Sequence, residues 1–320
     1  MCIVKNEADV LQENLIAAAR WCDHIYVFDN GSSDGTWDLV KELSEQYPLI
    51  VPYKQDDTLF RGALRSDIFN SYRSNAGPDD WWCRLDADEF YIDNPRIFLS
   101  KVQKRFRTVW SASFNYYFTN QDLIEYEKDP ANFVQTPVQK RLRYYCNNWG
   151  ELRFFRQNDD IVWTRSQDTG GFPGAMFTAP AYPVRIWLKH YQYRSPEQIQ
   201  QRLLIRRPAM EASIGFLHEV TPNWSAAIAT KRDAPLDFKD AAPAFAVSHW
   251  EERIVPAASL DYDAFDYRYI VNESLMPEFP IRLPRSQRLK QMIPRPIRTR
   301  FGGLRRHLQH VLGQQVQLDQ

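Results

Sequence analysis

The first third of the chain alternates short apolar runs with segments whose apolar residues recur at helical spacing. Such alternation of strand and helix predicts an open, mostly parallel sheet with right-handed crossovers and helices on its faces. The chain is therefore expected to have an α/β fold. The predicted strands are Cys2–Val4, His24–Asp29, Leu49–Val51 and the run that ends at Asp86, and the predicted helices are Val10–Ala19, Trp37–Tyr47 and Leu64–Asn75.

The pattern loosens after residue 95, where a mixed α+β half is expected. Residues 158–183 contain the sequence Asp168-Thr-Gly-Gly-Phe-Pro-Gly174, whose glycines and prolines predict loops. Ser195 followed by Pro196, with Gln198 three residues after the serine, predicts a helix start with Ile199, Leu203 and Leu204 facing inward. The remaining predictions are a helix at Pro95–Phe106 and strands at Val109–Phe118, Gln139–Tyr145 and Leu152–Phe155.

Two carboxylates spaced one residue apart, Asp86 and Asp88, end an apolar run, and Glu89 adjoins them. In an open α/β sheet the ligand lies beyond the carboxyl ends of the strands. Carboxylates crowded at the edge of an apolar core are costly to ionise unless a cation or several hydrogen-bond donors offset them. A divalent cation that carries a phosphorylated substrate satisfies both conditions.

The bulk composition excludes several classes of protein. The 40 basic and 40 acidic residues balance, so no global field attracts nucleic acid or an anionic membrane. The four cysteines are widely spaced, which argues against a zinc site, and neither a signal peptide nor a membrane span is indicated. We expect a cytoplasmic protein without nucleic-acid partners.

Three motifs in order resemble the signatures of glycosyltransferase family 2, whose members have the GT-A fold. They are Val4-Lys5-Asn6-Glu7, then Asp29-Asn-Gly-Ser-Ser-Asp-Gly-Thr36, then Leu85-Asp-Ala-Asp-Glu-Phe90. Lys189-His-Tyr-Gln-Tyr-Arg-Ser195 is similar to a later segment in the branch with a Lys-Asn-Glu start. The resemblance implies residues 1–118 as the nucleotide-sugar-binding half, 119–280 as the acceptor-side half and 281–320 as a basic tail.

The resemblance also implies which residues bind the donor, with a UDP-sugar favoured. Asp29, at a strand tip, can accept an N–H group of the base, and Asp34 either contributes to this site or caps the next helix. Arg65 stands where the family has an arginine for the diphosphate, and Arg84 lies two residues before Asp86. The donor-binding residues are therefore expected to be Lys5, Asn6, Glu7, Asp29, Asp34, Arg65, Arg84 and Asp86.

A metal site is expected on the same analogy. Asp86 and Asp88 resemble the Asp-x-Asp motif that holds Mn²⁺ or Mg²⁺ at the diphosphate, and His190 can complete the shell. An imidazole ligand favours Mn²⁺ over Mg²⁺, and a structural histidine is the alternative reading of His190. His218 and His249 are weaker alternatives without motif context.

Family 2 enzymes invert the anomeric centre in one displacement, which requires a carboxylate base on the acceptor side. Glu151 and Asp168 are the candidates for this catalytic base, with Glu151 preferred because Trp149 beside it can stack on a sugar and raise a carboxyl pKa. A salt bridge between Glu151 and Arg153 is the structural alternative.

The acceptor is expected to be a glycan or a lipid-linked molecule of cell-surface polysaccharide or lipopolysaccharide synthesis. Residues 282–310 hold nine Lys or Arg and no acid, so this tail can contact the anionic inner face of a membrane or remain solvated. A nucleotidyltransferase or a non-catalytic sugar-binding module are the alternatives. The sequence names neither the donor sugar nor the acceptor.

Overall fold

The computed structural model describes residues 1–142, 144–212 and 221–227, together with three short strands between residues 255 and 271. The expected basic tail, His218 and His249 lie outside the described residues, as do the side chains of residues 144–149. The α/β class expected from the alternating pattern is confirmed. Among the described helices none is long and apolar enough to cross a membrane.

Strands and helices alternate up to β4, which ends at residue 83, and are then mixed, as follows. The strands are β1 Cys2–Val4, β2 Ile25–Asp29, β3 Ile50–Gln55, β4 Trp81–Cys83, β5 Glu89–Tyr91, β6 Thr108–Tyr116, β7 Tyr144–Trp149, β8 Leu152–Arg156, β9 Asp168–Thr169, β10 Phe172–Pro173, β11 Ile186–His190, β12 Val255–Pro256, β13 Leu260–Asp263 and β14 Arg268–Val271. The α-helices are α1 Ala8–Ala18, α2 Thr36–Gln46, α3 Arg65–Tyr72, α4 Pro95–Ser100, α5 Asn120–Lys128, α6 Pro130–Gln135, α7 Val138–Arg141 and α8 Pro196–Glu211.

The first sheet is parallel and has the order β1-β2-β3. Its side chains alternate between two faces, as the period of a strand requires. Cys2, Val4 and Val27 pack with α1 and α2, whereas Tyr26 and Phe28 pack with α3 on the other face. Burial on both faces explains why every residue of β2 is apolar or aromatic except the last, Asp29.

The second sheet has seven strands and is mixed. Its central path runs β12-β7-β6-β11-β5, and β8 joins β4 to β6. Strand β11 pairs in parallel with β6 and antiparallel with β5. Helix α8 packs against this sheet through Ile199 and Leu203.

The fourth predicted strand does not extend the parallel sheet in the way the alternation implied. Strand β4 pairs antiparallel with β8, and only Leu85 makes a parallel bridge to Cys2 of β1. The chain then turns and forms β5 from Glu89 onward, so Asp86 and Asp88 lie in the turn between Leu85 and β5. This turn begins one residue after the bridge to Cys2, so it follows the direction of β1.

Three local predictions are wrong. Residues 138–141 form the helix α7, and the strand β7 begins only at residue 144, so the predicted strand at Gln139–Tyr145 is displaced. Helix α4 ends at Ser100 and does not continue to Phe106. Leu204 is 52% exposed because it lies beside, and not within, the stripe formed by Ile199 and Leu203. The predicted helix start is confirmed, since the Ser195 hydroxyl accepts a hydrogen bond from Gln198 N at 3.2 Å.

Candidate active site at the ends of β1 and β2

The loop after β1 is tied to the loop after β2. Asn6 N donates to Ser32 Oγ at 2.9 Å, and Ser33 N donates to Asn6 Oδ1 at 2.8 Å. Asn6 has a φ of 55°, a left-handed conformation that asparagine tolerates better than most residues. Asn6 therefore shapes the loop, and Lys5 beside it is partly exposed.

Asp34 joins the first turns of two helices. One carboxylate oxygen accepts from Ala8 N at 3.1 Å at the start of α1, and the other accepts from Thr36 N at 3.0 Å at the start of α2. Backbone N–H groups at a helix start lack partners within the helix, and a carboxylate satisfies them. These contacts correspond to the capping role that was the structural alternative for Asp34.

Asp29, at the end of β2, is fully buried and keeps one oxygen without a partner. Its Oδ1 accepts from Ser32 N at 2.8 Å and from Gln55 Nε2 at 3.2 Å. Its Oδ2 is buried and has no hydrogen-bond partner among the described residues. A buried carboxylate oxygen without a donor is costly, so this atom marks a place where a ligand can supply an N–H or O–H group.

Three arginines surround Asp86. Arg65 Nη2 donates to Oδ1 at 2.5 Å, whereas Arg84 Nε and Arg153 Nη1 donate to Oδ2 at 3.0 and 2.8 Å. Burial would raise the pKa of the Asp86 carboxyl, but the charges of Arg84, Arg65 and Arg153 hold it well below its usual value. Both oxygens of Asp86 are thus hydrogen-bonded to cations.

Two further carboxylates complete this cluster. Glu151 Oε2 lies 2.9 Å from Arg153 Nη2 and 3.3 Å from Arg84 Nη1, so the salt bridge that was the structural alternative for Glu151 is present. Glu89 is 1% exposed and pairs with Arg153, and burial raises its pKa well above the ordinary value. Arg153, which sequence reasoning treated only as a partner of Glu151, connects three carboxylates from the protein interior.

Asp88 faces a different set of side chains, of which Arg202 and His190 are the nearest; Arg202 Nη1 lies 3.4 Å from Asp88 Oδ2. Asp88 Oδ2 lies 3.5 Å from His190 Nε2. His190 Nδ1 lies 2.9 Å from Asn115 Oδ1, an acceptor, so Nδ1 carries the ring proton and the lone pair of Nε2 points toward Asp88. In this tautomer two acceptors face each other beside Arg202, and a second ring proton or a cation between them would relieve the repulsion.

The chemistry of this pair fits a divalent cation. A carboxylate and an imidazole suit Mn²⁺, and such an ion normally takes further oxygen ligands from water and substrate phosphates. The described residues contain no group of three or more His, Cys, Asp or Glu side chains that could hold a metal by themselves. Any cation here would need ligands beyond these described side chains, such as water or substrate phosphate oxygens.

Arg194 connects the loop after β1 to the segment after β11. It is fully buried and makes two contacts of 2.8 Å with Asp9, one of 2.5 Å with Glu7 and one of 3.0 Å with Tyr191 O. Its Nη1 also lies 3.9 Å from Asp88 Oδ2. Burial raises the pKa of Glu7 to about 7, although Arg194 opposes this shift. Arg194 lies in the segment Lys189–Ser195 that is similar to the family, but the sequence assigned it no role.

Asp168 lies in the β9–β10 hairpin, next to the arginine cluster. Its oxygens accept from Trp163 Nε1 at 3.1 Å and from Gly171 N at 3.0 Å. The hairpin reaches the cluster through Gly170 O, which accepts from Arg84 Nη1 at 3.3 Å. Burial raises the pKa of Asp168 above its ordinary value, and its two hydrogen bonds lower it only in part.

Several of the predicted site residues thus form two adjoining groups, whereas Asn6, Asp29 and Asp34 lie in the loops after β1 and β2. The first centres on Asp86, with Arg65, Arg84 and Glu151, and has Asp168 close by. The second centres on Asp88 and His190, and Glu7 joins it through Arg194. The hydrogen bonds of Asn14 Nδ2 to Glu89 O at 2.5 Å and to Asp86 O at 3.3 Å hold the turn between the groups against α1.

Comparison with known proteins agrees with the motifs noted in the sequence. Residues 2–172 match the model of the family described as glycosyl transferase family 2, which confirms the resemblance. Among solved structures, the chain is similar to the mannosyltransferase PcManGT of Pyrobaculum calidifontis, whose structure contains GDP-Man and Mn²⁺, at 15% identity and a TM-score of 0.36 over 70% of this chain and 67% of that one. It is also similar to residues 1–349 of TarS from S. aureus, at 13% identity and a TM-score of 0.32 over 68% of this chain and 66% of that one. No curated protein matches the chain.

Proposed function

The chain belongs to glycosyl transferase family 2, and on that premise we propose that it transfers a sugar from a uridine-diphosphate donor to a glycan or lipid-linked acceptor. It is a glycosyltransferase, and its α/β architecture is of the GT-A type. The observation that carries the proposal is the Asp88–His190 pair next to the arginines around Asp86, and it is supported by the buried Asp29 Oδ2 at the end of β2, which has no partner among the described residues. Asp29 offers a hydrogen-bond acceptor to the base, the arginines offer positive charge to the diphosphate, and Asp88 and His190 offer ligands to the metal ion.

A uridine donor is supported by the state of Asp29. Its Oδ1 already accepts two hydrogen bonds, which leaves Oδ2 for the ligand. Uracil offers one imide N–H, whereas guanine offers adjacent N–H groups that suit a carboxylate with both oxygens open. One available oxygen therefore favours uracil.

Mn²⁺ is the proposed cation, held by the Asp88 carboxylate and His190 Nε2. The lone pair of Nε2 faces the carboxylate at 3.5 Å, and an imidazole ligand favours Mn²⁺ over Mg²⁺. When bound, the cation would offset the negative charge that builds on the departing diphosphate. Asp86 is less suited to this role, since both its oxygens already accept from guanidinium groups.

The transfer proceeds as a single displacement that inverts the sugar. The acceptor hydroxyl oxygen forms a bond to the anomeric carbon as the bond to the β-phosphate oxygen breaks, and the electron pair leaves on the diphosphate. The hydroxyl proton passes to a carboxylate base. Asp168 suits this role better than Glu151, because its hydrogen-bond donors are neutral and burial raises its pKa, whereas Glu151 pairs with Arg84 and Arg153. Glu151 instead holds the two arginines in place.

The acceptor and the location rest on the sequence alone. The basic residues 282–310 support action at the cytoplasmic face of a membrane, on a lipid-linked acceptor or a growing polysaccharide or lipopolysaccharide. They lie outside the described residues.

Release of nucleotide from a panel of UDP-sugars and GDP-sugars, with and without Mn²⁺, tests the proposed function. The wild type is expected to release UDP only with the cation present. Asp88→Asn and His190→Gln should abolish release, whereas Asp79→Asn, a change at an exposed carboxylate, should not. Nucleotide-sugar binding without turnover would favour a binding module, and release of a nucleoside monophosphate or pyrophosphate would favour a nucleotidyltransferase.

A further inference from the structure

We propose that Asp86 is a positioning residue of an arginine-lined site for the donor diphosphate, and that it is not a ligand of the divalent cation. The site consists of Arg65, Arg84 and Arg153. The inference rests on the proposed function, because it assigns a part of that donor to these arginines. Of the two carboxylates of the motif, Asp86 would then orient the arginines and Asp88 would bind the cation.

The first argument is that Asp86 and Asp88 have separate sets of partners. Asp86 accepts from Arg65, Arg84 and Arg153 at 2.5 to 3.0 Å. Asp88 Oδ2 lies 3.4 Å from Arg202 Nη1, 3.5 Å from His190 Nε2 and 3.9 Å from Arg194 Nη1. None of these contacts is shared between the two carboxylates. Asp86 and Asp88 could bind the same cation only if one of the two carboxylates moved away from the side chains it contacts here.

The second argument is that a cation at Asp86 meets strong competition. Its Oδ1 is bound to Arg65, and its Oδ2 is bound to both Arg84 and Arg153. A metal ion would have to displace at least one guanidinium and would then lie beside three positive charges. Like charges this close repel strongly in a partly buried site. An anion, in contrast, is attracted by the three guanidinium groups, whose charge Asp86, Glu151 and Glu89 offset in part.

The third argument is that two of the arginines have N–H groups without a partner. The Nε atoms of Arg65 and Arg153 are buried, and no acceptor among the described residues reaches them. The two guanidinium side chains are themselves 2% exposed. Buried donors normally have partners, and a guanidinium offers several N–H groups in a plane that matches phosphate oxygens. These atoms therefore indicate an anionic ligand.

The backbone beside Arg65 has the form that such a site requires. Gly171 has a φ of 85°, and a Cβ added to it would lie 3.3 Å from Arg65 Nη1. A Cβ on Gly62 would lie 2.8 Å from Gly171 N. Glycine at both positions lets the two segments pass closely without a side chain that crowds the guanidinium. The Arg65 guanidinium thus has glycine backbone in place of a side chain on this side.

The role of Asp86 follows from its place among the arginines. It is the acceptor that all three guanidiniums share, so it fixes their distances and orientations before the donor binds. An asparagine at this position has one acceptor oxygen and an NH₂ group that cannot accept from a guanidinium. Asp86→Asn should therefore disperse the arginines and leave the Asp88–His190 pair as it is.

Two binding measurements test the inference. The ratio of the dissociation constants of UMP and UDP, measured by calorimetry in EDTA, reports what the β-phosphate contributes without a metal. The affinity for Mn²⁺, measured by electron paramagnetic resonance at saturating UDP, reports the metal ligands. The variants are Asp86→Asn and Asp88→Asn, and the matched control is Arg156→Lys, since Arg156 is also buried and pairs with Asp79 away from the site.

Asp86→Asn is expected to lower the UMP/UDP ratio by about tenfold, the equivalent of one charge-assisted hydrogen bond. It should change the Mn²⁺ dissociation constant by less than about threefold, whereas Asp88→Asn should raise that constant by about tenfold or more. Arg156→Lys should alter neither quantity. A purely structural role of Asp86 would lower the melting temperature and leave the ratio unchanged, and that result would overturn the inference.

Loss of Mn²⁺ affinity in Asp86→Asn as large as in Asp88→Asn would also overturn it. If Asp86→Asn does not fold, Arg84→Lys is the substitute, because Arg84 is more exposed and its change is milder. That variant should lower the ratio without changing Mn²⁺ affinity, and an unchanged ratio would refute the anion site. Failure of the wild type to bind UDP at all would instead contradict the proposed function.

Discussion

A buried lysine on the strand that carries His190 offers a direct test of the energetics of the second sheet. Lys189 is 2% exposed, and its register partners are Phe90 of β5 and Phe114 of β6. Its Nζ lies 5.9 Å from the centre of the Tyr116 ring. Burial lowers the pKa of Lys189 from 10.5 to about 7. The strand thus places a titratable amine in the interior, beside aromatic side chains of β5 and β6.

The sign of the resulting pH dependence follows from proton uptake on unfolding. Between pH 7 and 10.5 the unfolded chain holds a proton on Lys189 that the folded chain lacks, so the free energy of unfolding rises with pH across this window. With these two pKa values, the gain between about pH 7 and pH 9 is on the order of 2 kcal/mol. It is an increase because the folded state has the lower pKa.

Urea unfolding of the wild type and of Lys189→Met at pH 7, 8 and 9 measures this effect. Methionine keeps an unbranched side chain and removes the charge, so the variant should be more stable at pH 7. Its advantage over the wild type should shrink by about 2 kcal/mol by pH 9. Lys104→Met is the control, because the Lys104 side chain is 82% exposed. An advantage of Lys189→Met that is the same at all three pH values would refute the reasoning.

Three further changes test the site and its supports. Asp168→Asn should lower kcat by about 10²- to 10⁴-fold with little change in donor KM. Because burial raises the pKa of Asp168, the acid limb of the wild-type pH–rate profile should lie above the ordinary pKa of an aspartate. A profile that matches a free aspartate would contradict this role. Arg194→Met should cost about 3 to 5 kcal/mol in urea unfolding, since it leaves Glu7 in the interior without this partner, and Glu7→Gln in the same chain should restore part of the loss. Gly171→Ala should lower stability by about 1 kcal/mol and weaken UDP binding, because it strains a left-handed position and crowds Arg65; unchanged UDP affinity would argue against the diphosphate site proposed above.

Local patterns in the sequence predicted most helices and strands of the first hundred residues, and also the start of α8. The apolar stripe of α1, the apolar run of β2 and the cap at Ser195 each depend on residues within a few positions of one another, and the structure has all three. The residues 138–145 are the counterexample. They contain no strong helical or strand period, and the structure divides them between α7 and β7.

The sequence by itself determined the family and the set of chemical groups at the ends of β1 and β2, because motifs and short-range periodicity are local properties of the chain. Only the tertiary structure decided which carboxylate meets which cation. Asp86 meets Arg65 across 21 positions and Arg153 across 67, and Arg194 meets Asp9 across 185. Such pairings depend on how the two sheets and α8 pack together, and close packing is a property of the whole fold. For that reason, Asp86 and Asp88 look alike in the sequence and differ in their surroundings.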